Sequence, residues 1–184
     1  MNSLLDMIAS QLDDRTIREI SSQLGIENQS AQQAISAAVP MLLGALDRNT
    51  QSQDGAEALN AALDRDHDGT ILNDLIGALS NPDTIQDGSS ILNHVFGSAR
   101  PKVDNGVSQI SGLDPQTTDQ LMSMLAPVVL GAVGQQKQQQ GLDAQGLANL
   151  LNQERQETGG KYAGLAKFLD MDGDGDPTDD VMNL

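Results

Sequence analysis

Part of this chain occurs twice. Leu24-Gly25-Ile26 is matched by Ser111-Gly112-Leu113, Pro40 by Pro127 and Gly44 by Gly131, each pair 87 residues apart. Further on, Leu59 and Leu63 match Leu147 and Leu151 at a spacing of 88. A repeat this long commits the fold to two related units, and each unit is helical. Leu4, Ile8 and Leu12 recur every four residues, and Ile17, Ile20 and Leu24 follow at three and four. Ala31, Ala34, Ile35, Ala38, Val39, Leu42, Leu43 and Leu46 then form a stripe broad enough for a buried helix. No stretch alternates apolar and polar residues for long enough to argue a strand. The pattern predicts an all-α helical bundle built from two similar halves, residues 1–97 and 98–184.

Local signals set the expected helix ends. Ser3 is placed to cap the first helix, Gly25 to end the second, and Asp114-Pro115 to open the repeat copy of the long helix as an N-cap and N1 pair. Pro40 predicts a kink near Ser36–Pro40, because proline removes one intrahelical hydrogen bond and crowds the preceding turn. The proline and glycine shared by the two copies read as packing geometry. Asn81-Pro82-Asp83 and Asp87-Gly88-Ser89 read as turns, with Ser89 or Ser90 capping a helix through Ile91, Leu92, Val95 and Phe96 to Gly97. The polar runs 49–54 and 134–141, the second rich in Gln, read as linkers.

Composition narrows the function. Phe96, Phe168 and Tyr162 are the aromatic residues, so the core must be aliphatic. With 26 acidic and 10 basic residues the net charge is −16, which opposes binding to a phosphate backbone or an anionic leaflet. The absence of cysteine excludes disulfides, zinc-thiolate sites and cysteine nucleophiles. No basic segment followed by a long apolar one marks a secretory signal at the N-terminus. The longest apolar stretches, 34–46 and 122–134, contain Pro and Gly and fall short of the roughly 20 residues that span a bilayer. A soluble, cytoplasmic protein is expected.

The sharpest chemical feature is an aspartate-rich loop that also occurs twice. Asp64-Arg65-Asp66-His67-Asp68-Gly69 and Asp170-Met171-Asp172-Gly173-Asp174-Gly175 carry carboxylates at loop positions 1, 3 and 5 and glycine at 6, with Asp74 and Asp180 at position 11, all 106 residues apart. This is the layout of an EF-hand calcium loop, in which alternate side chains converge on one hard cation and the glycine permits the sharp turn. The predicted Ca²⁺ ligands are Asp64, Asp66, Asp68 and Asp74 in the loop 64–75, and Asp170, Asp172, Asp174 and Asp180 in the loop 170–181. The backbone carbonyls of Thr70 and Asp176 complete the two shells. Each loop follows an apolar stretch, and the first leads into an expected helix through Ile71, Leu72, Leu75, Ile76 and Leu79. Two departures stand out: Leu75 and Val181 occupy position 12, where an EF-hand has a bidentate Glu, and Pro177 occupies position 8. Asp179 is an alternative ligand in the second loop. The competing reading is of acidic turns that only start helices, with Thr70 and Asp176 as caps.

Other chemistries are poorly supported. Residues 17–35 have the spacing of a DNA-binding helix-turn-helix about Gly25, but the would-be reading segment, 27–33, contains no Lys or Arg, and neither does its copy, 114–120. His67 sits where a calcium loop points outward, and His94 reads as a half-buried helix residue. Neither belongs to a nucleophile-base arrangement, so a non-enzyme is expected. Met41, Met122 and Met124 could line a sensor-type groove but at helical spacing read as core.

Several segments taken together resemble the bacterial family called domain of unknown function 937. They are Leu24-Gly25-Ile26 followed by Pro40, the stretches 69–75, 88–97 and 125–131, and the terminal stretch 168–175. The Ile91-Leu92-Asn93-His94-Val95-Phe96-Gly97 segment is the most specific. The resemblance implies a small, mainly helical bacterial protein ending in an Asp/Gly-rich tail, and brings no activity with it. The expected function is therefore non-enzymatic, with Ca²⁺ in the two loops stabilising the helices. The alternative is a scaffold or self-assembly module whose Gly/Ala-rich faces around Gly44 and Gly131 pack against another chain.

Overall fold

The computed structural model describes residues 3–159; the second acidic loop, 170–181, lies outside them. Two short helices, α1 (Leu4–Gln11) and α2 (Asp14–Leu24), lead into the long α3 (Asn28–Asn49). Then α4 (Gln53–Arg65) ends at the first acidic turn, which runs through a 3₁₀ segment (Thr70–Asp74) into α5 (Leu75–Leu79). After α6 (Pro82–Phe96), a 3₁₀ segment (Gly97–Ala99) and α7 (Arg100–Ser111) comes the longest helix, α8 (Pro115–Gln140), followed by α9 (Ala144–Gly159). The described residues contain no strand, and the fold is all-α, as the periodicity predicts.

The sequence repeat corresponds to two helix triplets, α2-α3-α4 and α7-α8-α9. Gly25 and Gly112 end α2 and α7 in the left-handed conformation, with φ of 66° and 72°. At the next helix start the copies differ as expected: Asp114 accepts from the amides of Gln116 and Thr117, whereas Glu27 makes no side-chain cap bond. Pro40 and Pro127 each lie inside a continuous helix.

The triplets interlock around α8, whose residues 121–134 are all buried. Such a helix has no solvent face and must be apolar or small all round. α6 lies along α8, with α1, α2, α3, α4 and α7 around it, while α3 also receives α7 and α9. One apolar cluster draws on both sequence halves, from Leu4 to Leu151, and takes in Met41, Met122 and Met124.

Five local expectations are corrected. Asp87-Gly88-Ser89 is no turn but the interior of α6, which starts at Asn81 and Pro82. A methyl at Gly88 would strike the Ser123 carbonyl oxygen, so this glycine serves the close approach of α6 to α8. Ser90 caps nothing; its hydroxyl donates back to the Gln86 carbonyl at 3.1 Å. The run 134–140 is not a linker but the last turns of α8, which ends at Gly141 with φ 63°. The helix expected from Ile71 begins as 3₁₀ and becomes α only at Leu75. His94 is exposed rather than half-buried.

Candidate functional site

The first acidic turn is built by the end of α4 and the left-handed Gly69, whose φ of 95° lets the chain reverse toward α8. Its four predicted carboxylate ligands go to four different partners. Asp64 Oδ1 accepts from the Lys137 ammonium of α8. Asp66 pairs with the neighbouring Arg65 at 2.8 Å. Asp68 accepts from the Thr70 amide at 3.0 Å, and this bond holds its carboxyl below the usual range. Asp74 caps α5 by accepting from the Gly77 amide at 3.1 Å. The helix-starting group is thus Asp74, while Thr70 donates its amide to Asp68 and does not act as a cap. Among the described residues no three His, Asp or Glu side chains are gathered so as to hold a metal. Gly69 and the order of acids are those of a calcium loop, and in this structure each of the four carboxylates is directed to its own partner within the chain. Asp170, Asp172, Asp174, Asp176 and Asp180 lie outside the described residues.

What fixes the turn is α8. A methyl at Gly134 would run into the His67 carbonyl oxygen, and one at Gly131 would lie 2.5 Å from Ile71 Cγ2. Both glycines are therefore seats for the turn, and the Gly131 face is covered within the same chain rather than by another one. His67 is turned inward, with its side chain 10% exposed and Nε2 3.7 Å from Asp87 Oδ2, contrary to its expected outward position. The inward turn leaves Asp66 and Asp68 on one wall and Asp83 and Asp87 on the other of an open cavity of about 420 Å³. Lys137 and Gly134 were hidden by the linker reading. The signal that could have exposed them is a lone cation and a glycine in an otherwise Gln-dominated run.

The sequence profile of a bacterial family described as proteins of unknown function, DUF937, matches residues 6–136. The chain belongs to the DUF937 family. No curated protein and no solved structure matches it. Within this DUF937 chain the matched part holds the whole first turn and both glycine seats, and it stops one residue before Lys137. The terminal stretch 168–175 lies beyond the match.

Three polar ties complete the DUF937 bundle. Glu154 of α9 accepts from the Leu4 and Leu5 amides at 2.6 and 3.3 Å, joining Ser3 in capping α1. The buried Asp47 of α3 meets Arg155 at 2.8 Å, and burial still pushes its carboxyl up. Arg100 at the start of α7 reaches Asp119 at 2.5 Å, Asn93 at 2.7 Å and the Ser89 carbonyl at 3.0 Å. Its Nε is 3.9 Å from Asp104, a carboxyl pushed up to about 6 by burial and by the nearby Asp119 charge. No helix among the described residues is long and apolar enough to cross a membrane.

Proposed function

We propose that this chain is a non-enzymatic helical scaffold whose first acidic turn braces α4 to α8 through protein contacts. The observation that carries this reading is Lys137. Its side chain is 7% exposed, and its ammonium holds the first loop aspartate, which a calcium loop would give to the ion. Asp68 and Asp74 are occupied by backbone amides, so the turn is satisfied by the chain itself. Thermal melts of three variants test the brace. Asp64→Ala leaves the ammonium buried without its counter-charge and lowers the midpoint by several degrees, about 1–3 kcal/mol. Adding Lys137→Met keeps the apolar stem, removes the stranded charge and recovers most of the loss. Wild type melts at the same temperature with calcium, with magnesium and with chelator. No recovery in the double variant, or a calcium-dependent midpoint, contradicts the brace.

A second reading is favoured by the left-handed Gly69 at position 6 and by the duplication at 106 residues. In it the two turns bind Ca²⁺ through Asp64, Asp66, Asp68 and Asp74, and through Asp170, Asp172, Asp174 and Asp180, and calcium takes Asp64 from Lys137. The midpoint then rises with calcium but not magnesium, and the rise is lost in Asp66→Ala combined with Asp172→Ala.

A further inference from the structure

A proline inside a helix leaves the carbonyl four residues earlier without its helical donor. The repeat places two such carbonyls in register: Ser123, ahead of Pro127 in α8, and Ser36, ahead of Pro40 in α3. On α8 the freed carbonyl is covered by α6. Gly88 lies against the Ser123 carbonyl oxygen and the Pro127 ring, so closely that a side chain there would collide with both. A glycine Cα–H can stand in for the missing donor at that approach. Ile85 and Leu92, three residues before and four after, carry the same face of α6 onto the apolar core. Ser123 is buried as a result.

The matching seat on α3 is a groove. Ser36 is exposed, and with Pro40 it lines a cavity of about 450 Å³ between α1, α2 and α3. The inner wall is apolar, made by Ile8, Ile17, Ile35 and Val39, and the rim is low, because the exposed Ala9 and Ser36 are small. Asp6 is the charged residue of the lining. Leu5 and Ile8 stand 87 residues before Leu92 and Val95, so α1 corresponds to the second half of α6. The position matching Gly88 is Met1, so the repeat carries the proline-freed carbonyl without the glycine that covers its copy.

We propose that the groove between α1 and α3 is a docking surface for a basic amphipathic helix of a partner protein. The helix sets a glycine on the Ser36 carbonyl, as α6 does on Ser123, and drops an aliphatic side chain three or four residues away into the cavity. Its lysines or arginines face Asp6 and a chain of net charge −16, a field that repels a second copy. The surface stands whether or not either acidic turn binds calcium. The probe is a synthetic peptide of residues 81–97 carrying Asp83→Lys and Asp87→Lys, titrated into the ¹⁵N-labelled full-length protein. Saturable shifts should fall on the amides of Ala9, Gln32 and Ser36. The peptide with its natural aspartates should bind about tenfold more weakly. A peptide that also carries Gly88→Val should not bind, and neither should the basic peptide to protein with Ser36→Phe, a change at an exposed position that fills the seat. Absence of shifts overturns the proposal, as does binding indifferent to Gly88→Val and Ser36→Phe. Shifts centred on Ser123 mean that the peptide displaces α6, and also overturn it. So do shifts of the Ala9 and Ser36 amides that appear with rising protein concentration and no peptide, which assign the groove to a second copy.

Discussion

The repeat-related faces of α8 and α3 share a frame and differ in content. On α8, Gly131, Gly134 and Lys137 receive the first acidic turn. The positions 87 residues earlier are Gly44, where an added methyl would meet no described atom within 4 Å, Asp47, buried and paired with Arg155, and Thr50, whose hydroxyl donates to the Asp47 carbonyl at 2.8 Å. α2 and α7 differ in the same way. Ile17 packs in the core where its counterpart is Asp104, a carboxyl left equally buried at 9% exposure. Helix lengths and the proline and glycine that punctuate them carry the common architecture. The specific docking of each half depends on single side chains that the repeat does not share.

That contrast is broken or sharpened most strongly at Gly134. Gly134→Ala places a methyl against a backbone carbonyl that cannot rotate away, so the turn must lift from α8. The expected loss is about 3 kcal/mol, read as a lower urea midpoint. Nearly as large is the effect of Asp104→Asn at pH 7.5. The native state holds the Asp104 proton up to about pH 6, against an ordinary value of 3.8. That contribution is complete below the ordinary value and is lost as pH rises through about 6. Asn never ionises, so the variant should be more stable than wild type by about 2–3 kcal/mol at pH 7.5, with no gain near pH 3. A pH-independent difference would show that Asp104 is not the titrating group. Gly131→Ala meets the Ile71 Cγ2 methyl, a side-chain atom whose rotamer can shift where a backbone carbonyl cannot, and should cost about 1–2 kcal/mol. Gly44→Ala should lie within about 1 kcal/mol of wild type. If it costs as much as Gly134→Ala, the two faces are equivalent after all.

Much of the fold was legible because aliphatic spacing at three and four residues is a direct image of a helix face. The 87-residue offset showed where the copies correspond. The errors share a cause. Gly88 and Gly134 looked like chain breakers, whereas each is a small residue admitting another element's backbone, a role set by tertiary contact and invisible in local sequence. Without apolar periodicity the end of α8 looked like a linker, although Lys137 there is buried through its partner on α4. For the acidic turn, the composition and the left-handed glycine were readable. The direction of each carboxylate was not, because Asp64, Asp66, Asp68 and Asp74 each have a nearer partner to satisfy. His67 was misplaced for the same reason: its inward position follows from the Gly134 seat and not from its loop number.

The central claim is that this turn is held by the chain itself. Its most direct test is an amide NMR titration of the full-length protein with calcium, followed at Gly69, Thr70 and Gly134. The brace predicts that these three resonances stay in place to millimolar calcium. Saturable movement of all three, absent with magnesium, would contradict it.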